Sequence, residues 1–301
     1  MRPIPEGQDP RSRRGGFLEK FRHRVSKDQS AKEFRCDTGH MVLKDEASVL
    51  EAYNNIGHAI AAFERSKDLV KFNSKFDKFW EEQGRAVDSF GTDGSGNYVP
   101  VPANFKSKVF TVQEANGLAL FNAVDKGKCS LCHLTSNHVD ASGNVYPPLL
   151  TDFTYDNLGI PVNPRIAELA GGAQPIDYGL GARTAELKLA NPALDFGDPT
   201  IYGPVSEGTP GGGMINVVFS EIGKFKVPTL RNVERSAPYG HNGYFATLDD
   251  ITHFYNTRDV EGAGWPVPEV IENVNEDELG DLGLTAEEEA AIVAFMKTLT
   301  D

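Results

Sequence analysis

Apolar residues return every three or four positions over 46–65. Val49, Tyr53, Ile56, Ile60 and Phe63 form one stripe, which predicts an amphipathic helix. A shorter amphipathic piece follows, with Phe72, Phe76, Phe79 and Trp80 set between charged residues. Gly91 to Pro102, with Gly94-Ser95-Gly96-Asn97 and two prolines, interrupts the pattern and predicts a linker and a domain boundary. Thr111-Val112-Gln113-Glu114 is a capping box, opening a helix through Leu118 and Phe121 to about Val124. Residues 140–215 are punctuated by Pro147-Pro148, Gly171-Gly172, Gly179 to Gly181 and Gly208 to Gly213, and predict loops. A second capping box, Thr285-Ala286-Glu287-Glu288, precedes Ile292, Phe295, Met296 and Leu299 at helical spacing. No fixed-period repeat is present. The pattern divides the chain into 1–45, a basic segment; 46–100, a helical stretch; and 101–301, a compact helical unit with long loops.

Composition narrows the classes. The chain has 301 residues, 40% of them hydrophobic, and a formal net charge of −13. That acidity argues against a general nucleic-acid binder. The charge is uneven: residues 1–35 hold ten Lys/Arg against five Asp/Glu, which leaves 20 against 38 over 36–301. No apolar run approaches the ~18 residues of a membrane helix, so no transmembrane span is expected. Ser12-Arg13-Arg14-Gly15-Gly16-Phe17-Leu18 looks like a twin-arginine export signal, but its spacing is off by one and no apolar region follows. It reads as a solvated basic strand or the stub of something longer.

Three cysteines exclude a disulfide scaffold. Two of them lie in Cys129-Ser130-Leu131-Cys132-His133, the C-x-x-C-H signature of c-type heme attachment. Two intervening residues match the sulfur separation to the porphyrin vinyls, and His133 is then the proximal iron ligand. A zinc site would need two more Cys/His partners at metal spacing, which Cys36 and His138 do not supply. A redox dithiol would want a βαβ context, and none surrounds Cys129. The helices support heme: Gly117 and Phe121 give a G-x-x-x-F spacing that lets one helix approach another closely, with Phe295 and Met296 able to face it. The expected fold is mainly α, a class I cytochrome c-like helical domain with long loops, preceded by a helical remnant.

Further motifs carry a family resemblance. Phe225-Lys226-Val227-Pro228-Thr229-Leu230-Arg231-Asn232-Val233, then Ala237-Pro238-Tyr239-Gly240-His241-Asn242-Gly243, resemble the bacterial di-heme cytochrome c peroxidase family. So does Thr151-Asp152-Phe153-Thr154-Tyr155-Asp156-Asn157-Leu158-Gly159, which is similar to the segment after the family's second heme motif. Ile60-Ala61-Ala62-Phe63-Glu64-Arg65-Ser66 resembles the segment joining the family's two heme domains. The resemblance covers about residues 46–301 and implies the family's C-terminal, electron-accepting heme domain. The family carries two C-x-x-C-H motifs and this chain has one. Cys36-Asp37-Thr38-Gly39-His40 offers a single thiol and reads as a decayed or chance site.

The resemblance implies one covalent heme c, with Arg231 and His241 at the heme edge and Arg231 able to pair with a propionate. It also implies peroxide reduction, a small cytochrome or cupredoxin as electron donor, and a periplasmic location; it leaves room for a homodimer. The carbonyls of Ser236 and Pro238 match those that help hold a calcium ion in the peroxidases, although the partner asparagine is absent. In the family a Met lies about fourteen residues after the histidine matching His241; here that position is Tyr255. The methylamine-utilisation di-heme enzyme, a relative, has Tyr there, which implies Tyr255 as second axial ligand. Met214 and His253 are alternatives, and Met296 reads as core. Two functions stay open: electron relay toward peroxide in a di-heme protein, or a stand-alone mono-heme carrier. A third reading gives the Tyr-ligated iron oxidative chemistry of its own.

Overall fold

In the computed structural model the described residues are 35–37, 40–42, 46–64, 71–169, 171, 176–202 and 215–301. The basic segment 1–34 and Met214 lie outside them, as do the side chains of Cys36 and His40. The chain divides into two units, Met1–Lys71 and Phe72–Asp301. The first unit contains an antiparallel pair, β1 (Arg35–Asp37) and β2 (His40–Val42), and α1 (Glu46–Glu64). The stripe expected over 46–65 is on this helix, with Tyr53, Ile56, Ile60 and Phe63 exposed.

The second unit holds six helices among the described residues: α2 (Lys75–Glu82), α3 (Val112–Asn122), α4 (Pro164–Leu169), α5 (Leu180–Ala190), α6 (Leu248–Thr257) and α7 (Ala286–Lys297). Its strands form three short antiparallel pairs: β3 (His138–Val139) with β4 (Val145–Tyr146), β5 (Tyr155–Asp156) with β8 (Phe225–Lys226), and β6 (Thr200–Tyr202) with β7 (Ile215–Val217). The unit is mainly helical, as the sequence pattern predicts.

Both capping boxes form. The Thr111 side chain accepts from the Glu114 amide, and the Thr285 side chain accepts from the Glu288 amide. They start the two helices that cross at the centre of the core. A Cβ built on Gly117 would lie 2.0 Å from the Ala291 carbonyl oxygen and 2.7 Å from Phe295 Cβ. The backbones therefore meet where only hydrogen fits. One turn further on, Phe121 meets Phe295 edge-on with centroids 5.1 Å apart.

The boundary differs from the one the glycine-rich stretch suggests. The units part between Lys71 and Phe72, and 91–102 is built into the second. A Cβ on Gly91 would sit 2.1 Å from Ala119 Cβ, the Val101 amide donates to Asn116 Oδ1 at 2.8 Å, and the Tyr98 amide donates to Asp125 Oδ1 at 2.7 Å. Gly91 serves close packing on α3, where sequence suggested a linker. α2 belongs to the same core: Phe76 and Phe79 are fully buried, and the Phe76 amide donates to the Thr298 carbonyl at 3.0 Å.

The loop region 140–215 also contains more structure than expected. α5 carries no apolar periodicity because it packs through small residues: a Cβ on Gly181 would lie 2.4 Å from Ile222 Cγ2, and Ala185 is fully buried. Tyr178, Val217, Ile222 and Val270 make a satellite cluster there.

Gly117→Ala must push two backbones apart. It is expected to destabilise by at least the ~1–3 kcal/mol of ordinary core overpacking. Chemical denaturation compared with the unsubstituted chain measures this.

Candidate functional site

The C-x-x-C-H segment hangs from the end of α3. The Lys128 amide donates to the Ala123 carbonyl at 2.9 Å, with Lys128 itself in the left-handed region at φ 54°. Cys129–Leu131 then form one 3-10 turn, with the Leu131 amide on the Lys128 carbonyl at 3.1 Å, and the His133 amide donates to the Cys129 carbonyl at 2.8 Å. Asn122, buried at the helix end, donates to the Val87 and Phe90 carbonyls and accepts from Thr135 Oγ1 at 2.8 Å. The loop is thereby anchored on both sides of the two cysteines.

Cys129, Cys132 and His133 open onto a largely apolar cavity of about 530 Å³, within the ordinary range for small-molecule and cofactor sites. His241 and Tyr255 line it too, with Ser236, Pro238 and Met296. α6 presents Leu248, Ile251, Thr252 and Tyr255, one helical face, to this cavity. His253 is on the opposite face, with Nδ1 against Glu289 Oε1 at 3.0 Å, and it does not line the cavity. Among the described residues the structure thus brings together both thiols, His133, His241 and Tyr255.

Each titratable group is set by its surroundings. His133 Nδ1 lies 2.9 Å from the Leu150 carbonyl, so that nitrogen carries the proton and Nε2 keeps the lone pair a metal takes. Burial lowers the His133 pKa, which favours the neutral imidazole. Burial pushes the Cys129 thiol up to about 12. Cys132 also rises to about 12, through burial and then the carboxylates of Glu278, Asp156 and Asp152. Both are thiols at neutral pH. Burial likewise pushes the Tyr255 phenol above its ordinary value. Two protonated thiols, a neutral imidazole and a phenol on apolar walls fit the heme that the motif implies.

Arg231 is placed otherwise than the resemblance implies. Its guanidinium is buried, donates to both oxygens of Asp77 at 2.7 and 2.9 Å and to the Pro148 carbonyl, and lies over the rings of Phe72 and Phe76. It does not line the cavity. Asp77 already caps α2 by accepting from Ser74, so one carboxylate serves helix start and ion pair together. His241 stacks on Phe225 with ring centroids 3.8 Å apart, and its Nε2 lies 2.9 Å from Glu269 Oε2. Glu269 is 2% exposed and also accepts from Asn242 Nδ2 and the Asp177 amide. Burial alone would raise its pKa; the hydrogen bonds outweigh this and hold it below the usual carboxylate value.

Sequence reasoning passed over Asp77, Glu269 and Glu278, and quoted Asp156 only within a family motif, with no role for its carboxylate; Asp156 and Glu278 form a carboxylate pair on the cavity wall. Asp77 and Glu269 meet their partners only in the fold, and for Glu278 only the run of acids over 272–281 gave a signal.

The comparisons agree with the motifs. No protein-family model matches the chain. It is 30% identical over 262 residues to the methylamine utilization protein MauG of Paracoccus denitrificans, covering 83% of this chain and 52% of that protein. It is 26% identical over 259 residues to the cytochrome-c peroxidase IdrP2 of Denitromonas iodatirespirans, covering 85% and 50% respectively. The solved diheme peroxidase BthA of Burkholderia thailandensis superposes with a TM-score of 0.53 at 26% identity, covering 83% of this chain and 52% of that one. The chain is a relative of the MauG and diheme cytochrome c peroxidase proteins. It spans about half the length of these relatives.

Two outcomes follow for this relative of the diheme peroxidases. Arg231→Ala leaves Asp77 buried without its cation and is expected to cost about 3–5 kcal/mol of stability; denaturant unfolding measures it. Glu269 has a lowered pKa in the fold, so its stabilisation is complete above about pH 4.5 and is lost as pH falls through the folded value. Melting followed from about pH 6 to about pH 3 should fall on the acid side. In Glu269→Gln that acid limb should be shallower, from a lower starting stability at neutral pH.

Proposed function

We propose that this chain binds one covalent heme c and relays electrons through it toward peroxide reduction, as the electron-accepting heme domain of a diheme peroxidase-type protein. One observation carries the proposal: both thiols of the C-x-x-C-H segment, the His133 imidazole and the Tyr255 phenol share a single apolar cavity. Bound there, a c-type heme supplies one-electron redox chemistry. In this reading Cys129 and Cys132 form the thioethers, and His133 gives its Nε2 lone pair to the iron while the Leu150 carbonyl fixes the ring. The close approach of α3 and α7 and the mainly helical core support the reading of a class I cytochrome c-like domain.

Tyr255 would be the second residue, after His133, to hold the iron. Burial keeps its phenol protonated, and as an iron ligand it would give up that proton. An anionic oxygen ligand stabilises the ferric state. His241, held by Glu269 and Phe225, would lie beside the heme. Arg231 acts one layer out: it holds α2 and the Pro148 backbone, two residues from the carbonyl that orients His133. Calcium stays outside the proposal, because Ser236 and Pro238 line the cavity the heme would fill.

The implied donor is a small cytochrome or cupredoxin, and the compartment is the periplasm, since bacteria attach c-heme outside the cytoplasm. No helix among the described residues is long and apolar enough to cross a membrane. The single C-x-x-C-H favours a second reading, a mono-heme carrier without peroxide chemistry.

Heme should survive acid-acetone extraction at one per chain, and replacing Cys129 and Cys132 by Ala should abolish its retention. Extractable heme, or none, would falsify the assignment. The isolated chain should reduce peroxide far below the usual 1–10³ s⁻¹, roughly, of enzymes; turnover in that range assigns the chemistry to this cavity itself. Tyr255→Phe should change the ferric spin state and raise the potential. An unchanged ferric spectrum would remove Tyr255 from the iron.

A further inference from the structure

The heme reading leaves one part of the cavity wall without a role. Asp156 ends β5, and Glu278 lies in the acidic run before α7; both line the cavity. One oxygen from each carboxylate and the Cys132 sulfur lie within 4.8 Å of one another. Asn275 bridges the two acids: its Nδ2 donates to Asp156 Oδ2 at 2.5 Å and to Glu278 Oε2 at 2.8 Å. The amides of Asp277 and Glu278 donate to Asn275 Oδ1 at 3.2 and 3.0 Å, which fixes the orientation of that side chain. The bridge between the acids is therefore neutral.

The cations around the pair are committed elsewhere. Arg258 donates to Asp259 and to the Leu158 and Asn275 carbonyls. Lys128 Nζ is on the Asp277 carbonyl at 2.8 Å. Lys226 Nζ is on the Val227 carbonyl and over the Phe153 ring. Lys224 pairs with Glu221 and contributes only the last of the effects felt by Asp156. The other groups facing this edge are Asp152, felt by Cys132, and Tyr255, which feels Asp156. His133 is tied to Leu150, and Asp259, Glu276, Asp277 and Asp281 surround Lys128 in the neighbouring hollow. A second carboxylate this close disfavours ionisation of Asp156. Burial, with Glu278 adding to it, raises the Asp156 pKa.

We infer that Asp156 and Glu278 are a proton-binding site that takes up one proton when the group bound in the cavity gains an electron. The inference rests on the heme reading above. A reduced external donor gives up one electron, the iron accepts it, and a proton from water binds the carboxylate pair, so the charge of the site is unchanged. On reoxidation the proton returns to water along the same edge. The extra proton favours the reduced state. The potential must then fall as pH rises across the range where the oxidised protein has lost the proton and the reduced protein still holds it.

The test is a spectroelectrochemical titration against pH on the heme-loaded chain, for the unsubstituted protein, Asp156→Asn and Glu278→Gln. Each variant keeps an oxygen acceptor for Asn275 Nδ2, and each removes the shared proton. The unsubstituted protein should show a potential that falls with pH, and either variant should flatten that fall markedly. If Asp156→Asn does not fold, Glu278→Gln decides. A pyridine hemochrome spectrum separates the two ideas. Absence of covalent heme overturns the cavity reading and the inference with it. Heme with the same slope in the variants, or no slope in the unsubstituted protein, overturns the inference alone. So does a slope lost in Tyr255→Phe but kept in Glu278→Gln, which would make the phenol the titrating group.

Discussion

The crossing of α3 and α7 at Gly117 is the contact on which the rest of the second unit depends. A 2.0 Å gap between an added Cβ and the Ala291 carbonyl leaves no room for any side chain. That approach brings Phe121 and Phe295 into contact, and Phe295 also meets Phe76 and Phe110 edge-on. α2 is therefore clamped to the same centre, and through it Asp77 and Arg231. The end of α3 sets the start of the C-x-x-C-H turn, so the helix crossing fixes where both thiols stand. The site is an extension of the core.

Polar anchors carry that order outward. Asn122 joins the end of α3 to the 87–90 backbone and to Thr135 beyond His133. The Leu150 carbonyl holds the His133 ring, and the Thr229 hydroxyl donates to the neighbouring Leu149 carbonyl at 2.6 Å. Arg231 holds the Pro148 carbonyl in turn. Three consecutive carbonyls are thus each committed to a side chain. Their joint effect is an imidazole whose tautomer and direction are set before anything enters the cavity.

Sequence legibility followed the length scale of the signal. The two T-x-x-E capping boxes and the Gly117/Phe121 spacing are local patterns, and the structure contains the helix starts and the close crossing they predict. Two more boxes, Ser74 to Asp77 and Thr247 to Asp250, use Asp in place of Glu and went unread. α5 escaped because small residues bury it, and 91–102 looked like a linker because glycines that permit close packing resemble glycines that permit turns. Tyr255 was legible as a position counted from His241. Its neighbours on the cavity face of α6 needed the helix itself. The partners of Arg231, His241 and Asp156 lie 154, 28 and 119 residues away, and no spacing rule reaches them.

The cavity is electrostatically one-sided. At its cysteine edge Asp156, Glu278 and Asp152 act on Cys132 with no cation among their hydrogen-bond partners. At the His241 edge the buried Glu269 is answered by imidazole, amide and backbone donors and stays ionised. Negative charge beside a redox group favours its oxidised state, and so does an anionic tyrosinate ligand. In the proposed heme protein the two effects act in the same direction, which would set a low potential. A purely low-potential relay would need only the ligand. A carboxylate pair that can share a proton does something the ligand cannot: it relaxes the penalty on reduction without changing the iron's coordination.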